Sequence, residues 1–109
     1  MTTSSSRLAF ADCFDFMDRA LEDPKGARAS FGDRGSAMHF RVRLHTARRY
    51  DREANKEVYS PGDPMYGISE YDKLTASIRE DGDIWYIYLE HRAQLTTVES
   101  LSDLKGEDE

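Results

Sequence analysis

The dipeptide Asp81-Gly82 stands between two runs of alternating apolar and polar residues, the strongest short-range signature of a β-hairpin. With those two residues as the loop, Glu80 faces Asp83 and every further pair follows. Ile78 then opposes Trp85, Ala76 opposes Ile87 and Leu74 opposes Leu89, all on one face. Arg79 opposes Ile84, Ser77 opposes Tyr86, Thr75 opposes Tyr88 and Lys73 opposes Glu90 on the other. One face is apolar throughout and the other polar and aromatic, so turn chemistry and side-chain pattern agree on how the ribbon lies.

A two-stranded ribbon is marginal alone and needs a third strand or a helix on its apolar face. Both are expected upstream. Ala27, Ala29 and Phe31 alternate with Arg28 and Ser30, which predicts a short strand. Between it and the hairpin, Phe40, Leu44, Ala47, Ala54 and Val58 fall on one helical stripe, with Ala37 and Tyr50 at its margins. This predicts a long helix capped by Ser36 and running to about Glu57. A shorter helix is predicted over 12–23 from Cys13, Phe14, Phe16, Met17, Ala20 and Leu21, with Asp12 as its N-cap and Pro24 with Gly26 as its stop. The expected fold is α+β, in the order helix, strand, helix, strand, strand. A three-stranded sheet with the C-terminal Asp-Gly hairpin packs on the long basic amphipathic helix. Sheet order stays open, and so does the first helix, which can lie beside the second or cover the opposite sheet face. Residues 59–71, with Pro61, Gly62, Pro64 and Gly67, read as a long connection. Its Tyr59, Met65, Tyr66 and Ile68 either pin it to the core or serve a function.

At 109 residues and 39% hydrophobic content the chain has room for one domain and one core. We expect that domain to span 1–95, with 96–109 as an acidic, flexible tail. The lone Cys13 precludes an internal disulfide and a Cys-based zinc site. No run reaches the roughly 18 apolar residues of a membrane span. The segment Met1–Arg7 lacks the pattern of a secretory signal, so a cytoplasmic setting is expected.

The net charge of −6 is unevenly placed: −3 over 1–23, +6 over 24–56 and −9 over 57–109. The basic block lies mainly on the long helix. Arg34, Arg41, His45, Arg48, Arg52 and Lys56, spaced 7, 4, 3, 4 and 4, occupy a sector of roughly 80° beside the apolar stripe, and Arg49 borders it. Guanidinium forks in such a row suit phosphate oxygens, although a charged helix face is often only solvated. Asp51 is placed to pair with Arg48. A second candidate is the polar face of the hairpin, where Tyr86 and Tyr88 beside Arg79 would make a stacking platform for bases, joined by Arg28 and Ser30 if the first strand pairs there. If the first helix covers that face, the tyrosines are ordinary core residues. His39, His45 and His91 have no metal-ligand spacing, no Gly-rich phosphate loop is present, and Cys13 lies among apolar helix positions, where burial is expected. No cofactor is implied, and the expectation is a protein without catalytic chemistry.

Phe40 to Arg49 with Asp51-Arg52, Pro64-Met65-Tyr66-Gly67, Ser69-Glu70-Tyr71-Asp72 and Trp85-Tyr86-Ile87-Tyr88 together resemble small uncharacterised proteins of tailed bacteriophages and prophages, over roughly residues 26–90. The resemblance transfers no catalytic residue. It implies a host-cell setting in which such proteins bind nucleic acid, or bind and disable a host protein. The leading expectation is a nucleic-acid-binding module for DNA or RNA. The alternative is a protein-interaction module that grips an acidic protein surface, a host complex or a second copy of itself.

Overall fold

In the computed structural model, which describes residues 8–92, the apolar spacing from Cys13 to Ala20 winds Ala11–Glu22 into helix α1. Its N-cap is Phe10 rather than Asp12, which lies within the first turn. There the Asp12 carboxylate accepts the Cys13 N–H at 2.9 Å and takes Arg43 of the second helix at 2.6 and 2.9 Å. Asp23 before Pro24 is extended, which ends the helix. Gly26 follows at φ +88°, pressed so close to the Leu89 backbone that a Cβ would run into its carbonyl oxygen. Only glycine fits that reversal.

Strand β1 is Ala27–Phe31, and helix α2 is Arg34–Val58. The cap of α2 is Asp33, not Ser36. Asp33 is extended, and its carboxylate accepts the Ser36 N–H at 2.8 Å and the Ser36 hydroxyl at 3.0 Å. Ser36 is thus the capped third residue. Ala37, Leu44 and Ala47 are buried, and Phe40 packs its ring at 5.3 Å from Phe31 and 6.1 Å from Phe16. Val58, expected on the buried stripe, is 73% exposed. A helix of 25 residues is about 37 Å long, whereas eight-residue strands span about 27 Å, so its last turn overhangs the sheet.

The connection turns at residues 60–63 and 63–66, then enters a single 3-10 turn at Glu70–Lys73 with Ser69 and Asp72 as its capping box. Buried Tyr71 pins it to α1 by donating to Asp18 at 2.6 Å, and the Ser69 hydroxyl donates to Asp51 of α2 at 2.6 Å. Strands β2, Leu74–Asp81, and β3, Ile84–His91, complete an all-antiparallel sheet in the order β1-β3-β2.

The hairpin forms, but its loop is Gly82-Asp83. Asp81 pairs with Ile84, Ile78 with Ile87, Ala76 with Leu89 and Thr75 with Glu90, two residues along β3 from the expected register. Gly82 has φ +64° and Asp83 does not enter the positive-φ region, the pattern of a type II′ turn with glycine at its first central position. A shift of two preserves the faces, so Leu74, Ala76, Ile78, Trp85, Ile87 and Leu89 still point inward, joined by Ala27, Ala29 and Phe31.

Both helices pack on that inward face and contribute to one hydrophobic cluster with it. Phe14, Phe16 and Met17 of α1 are spent there, beside α2, so among the described residues α1 does not cover the outer face. Met17, Leu44, Leu74, Ile87 and Leu89 are fully buried. Each contributes about 1.5–3 kcal/mol, against about 0–1 kcal/mol for an exposed ion pair, so the cluster dominates stability. The acidic segment at 96–109 lies outside the described residues. Among the described residues no helix is long and apolar enough to cross a membrane.

Candidate functional site

Antiparallel pairing brings two arginines from the edge strands onto the two tyrosines of the central strand. Arg28 of β1 lies opposite Tyr88, and Arg79 of β2 lies opposite Tyr86. Each guanidinium crosses diagonally to the other ring. Arg28 sits 4.1 Å from the Tyr86 ring centroid and donates to the Tyr88 hydroxyl at 2.9 Å, while Arg79 sits 4.1 Å from the Tyr88 centroid. The two rings are 6.0 Å apart and tilted by 57°. Both are half-exposed. The result is a layered row of guanidinium, ring, ring and guanidinium across the outer sheet face. Glu90 borders it, accepting from Arg79 at 2.5 Å. Ser77 Oγ lies beneath, buried and without a hydrogen-bond partner. Arg79, Tyr86 and Tyr88 are thus assembled as the alternation predicts. Arg28 joins because β1 pairs with β3.

The basic helix row fares differently. Arg34 is apart from the others, near the Trp85 ring at 5.9 Å. Arg41 and His45 carry no hydrogen bond or ion pair among the described residues. His45 is held below its ordinary pKa by burial and then by Arg48, Arg41 and Arg52, so its imidazole is neutral at pH 7. Arg49 is exposed and lies 5.6 Å from the Tyr50 ring. Lys56 makes a loose pair with Glu53 at 3.4 Å.

Two further members are engaged differently, one paired and one buried. Arg52 holds Asp72 side-on, Nε at 3.1 Å and Nη2 at 2.6 Å. Burial would raise the Asp72 carboxyl, but Arg52, the Ser69 N–H and Arg48 outweigh it and hold it below the usual carboxylate range. Arg48 is only 5% exposed. It stands about 40° round the helix from Leu44, the innermost member of the row, so it turns under rather than out. Asp51 takes the Ser69 hydroxyl, and Arg48 Nε and Nη2 have no hydrogen-bond partner. The row is therefore no continuous phosphate track. Its open part is Arg41, His45 and Arg49, on the helical layer opposite the tyrosine face.

Asp72, the partner of Arg52, and Arg92, a charged neighbour of Arg48, escaped sequence reasoning, because both come from outside the helix. His91 is structural: its Nε2–H lies 2.9 Å from the Ala20 and Asp23 carbonyls and closes the end of α1. Among the described residues, no group of three or more His, Cys, Asp or Glu is placed to hold a metal ion. Comparison with family models, with curated proteins and with solved structures returned no match.

Proposed function

We propose that this protein is a non-enzymatic nucleic-acid-binding module that holds a single strand against the outer face of its sheet. The observation that carries this reading is the row of Arg28, Tyr86, Tyr88 and Arg79 on a sheet face that neither helix covers. Bases stack on tyrosine rings and on guanidinium planes alike, and the same arginines meet phosphates, so the row recognises a strand without reading its sequence. A base entering between the layers replaces a cation–π contact with a stacking contact. Ser77 supplies a hydroxyl that gains a partner on binding.

Stacking is worth about 1–3 kcal/mol per base, so Tyr86→Ala or Tyr88→Ala weakens binding of a short single strand by roughly 5- to 150-fold. Fluorescence anisotropy with single- and double-stranded DNA and RNA at two salt concentrations checks this. Single strands bind more tightly than duplexes, and log affinity falls with log salt by about 0.7 per phosphate contacted. Equal binding by the tyrosine variants would sink the proposal.

A second reading is favoured by Val42, which is 60% exposed on the outer side of α2 near Arg41, His45 and Arg49. An apolar side chain beside two open arginines, Arg41 and Arg49, suits docking on an acidic protein surface, such as a component of a host complex. Arg41→Glu/Arg49→Glu with intact strand binding, together with loss of a co-purifying acidic protein, would favour it.

A further inference from the structure

The two ends of the outer row are not equivalent. Arg28 donates to a neutral partner, the Tyr88 hydroxyl, at 2.9 Å, whereas Arg79 donates to a carboxylate, Glu90, at 2.5 Å. Glu90 stands two residues beyond Tyr88 on β3, so both side chains leave the same face, about 7 Å apart along the strand. Arg79 therefore rests its guanidinium 4.1 Å from the Tyr88 ring centroid while giving an N–H to the carboxylate beside that ring. Roughly half of each side chain of the pair is exposed. An ion pair so open to water contributes little to stability and is readily exchanged for another contact. Asp81 lies within electrostatic reach of Arg28, so each cation of the row has a carboxylate near it. Phosphate attraction alone does not explain such a face.

The group now seated on Tyr88 shows what that position accepts: a flat, delocalised group that stacks on the ring and aims N–H donors at Glu90. A carboxylate only accepts hydrogen bonds, so it selects a base by the donors on its edge. Guanine is the base that presents two adjacent donors, N1–H and the N2 amine, to the two oxygens of a carboxylate. With the carbon between them, those nitrogens are a guanidine unit, so guanine copies the Arg79 head group without its charge. Adenine and cytosine offer one amine beside an acceptor nitrogen. Uracil and thymine offer one N3–H between two carbonyl oxygens, which a carboxylate repels.

We propose that the Tyr88–Glu90 end of the row is a guanine subsite. The base displaces Arg79 from the ring and from the carboxylate, and the freed Arg79 meets a phosphate of the same strand. This inference rests on the strand-binding reading of the outer face and adds a base preference to it. The row itself reads no sequence, and stacking on Tyr86 tolerates any base; Glu90 beside the row makes the selection. Thr75, opposite Glu90 on β2, gives its hydroxyl to the Glu90 carbonyl at 3.3 Å, which leaves the discrimination to the carboxylate.

The test titrates the full chain against short labelled oligothymidine strands whose central base is thymine, adenine, cytosine, guanine or hypoxanthine, the last being guanine without its N2 amine. A single guanine per strand avoids pairing between strands. The readout is fluorescence anisotropy at low salt. Guanine is expected to bind about five- to tenfold more tightly than thymine, the low end of what a bidentate base contact discriminates because Glu90 is half-exposed. Hypoxanthine falls between the two. Glu90→Gln, checked by circular dichroism, keeps the shape and removes the charge. It is expected to reduce the guanine advantage to about twofold or less and to tighten binding of the all-thymine strand, because a negative charge leaves the site and Arg79 is released. A residue with only a structural role would shift every strand together. Equal binding of guanine and thymine strands, a preference for adenine or cytosine, hypoxanthine equal to guanine, or a guanine preference undiminished in Glu90→Gln would each overturn the subsite and leave the tyrosine platform standing. Binding of no strand at low salt would remove the platform and the subsite together.

Discussion

Two side chains show how placement sets chemistry. The Cys13 thiol is fully buried on the inner face of α1, and burial first, then the nearby Asp12 carboxylate, push it up to about 11. It is a thiol, not a thiolate, at neutral pH. Labelling by a thiol reagent at pH 7.5 is expected to proceed only as fast as the domain opens, and to accelerate sharply in denaturant. Rapid labelling of the native protein would contradict the burial. Asp72 is the opposite case, with a folded pKa held below its ordinary 3.8. A depressed carboxyl contributes stability above its unfolded pKa and loses it as pH falls through the folded value. Thermal melts from pH 7 to pH 2 are expected to show that loss below about pH 4, and Asp72→Asn to flatten it. The burial of Arg48 was not legible from the chain. Its helical angle puts it at the margin of the row, and only the packed sheet decides that this margin is inside.

At the scale of elements, much was legible, because side-chain periods of 2 and 3.6 survive small errors of position. The inward faces of β2 and β3 were right although the register was two residues off, since a shift of two changes partners but not faces. The loop was misplaced because Asp81-Gly82-Asp83 holds two hairpin dipeptides, Asp-Gly and Gly-Asp, and the choice rests on which position takes a positive φ. Gly82 takes it. An alanine there costs about 1–2 kcal/mol, so Gly82→Ala is expected to lower the melting temperature, while nuclear Overhauser contacts still join Ile78 to Ile87 across the ribbon. Contacts joining Ile78 to Trp85 as direct partners would instead restore the Asp-Gly loop. The strand order β1-β3-β2 had no local signal, because either hairpin edge offers equivalent hydrogen-bonding groups to β1.

For the molecule as a whole, the decisive question was where α1 packs. Its apolar stripe is equally suited to either sheet face, and the choice separates a buried tyrosine pair from an open one. With α1 and α2 on one side, the outer face keeps Arg28, Tyr86, Tyr88 and Arg79 in a row. The cationic part of α2 lies on the other side, thinned by the Arg52–Asp72 pair and the turned-in Arg48. A charge count along the chain could not reveal this division, since it treats Arg48 and Arg49 alike. The most direct test is the anisotropy of a short labelled single strand with the wild type, with Tyr86→Ala/Tyr88→Ala and with Arg41→Glu/Arg49→Glu, each checked by circular dichroism. Our account predicts more than tenfold weaker binding for the tyrosine pair and a smaller, salt-sensitive loss for the helix pair. Undiminished binding by the tyrosine variant, with loss in the helix variant, would contradict it and move the interface to α2.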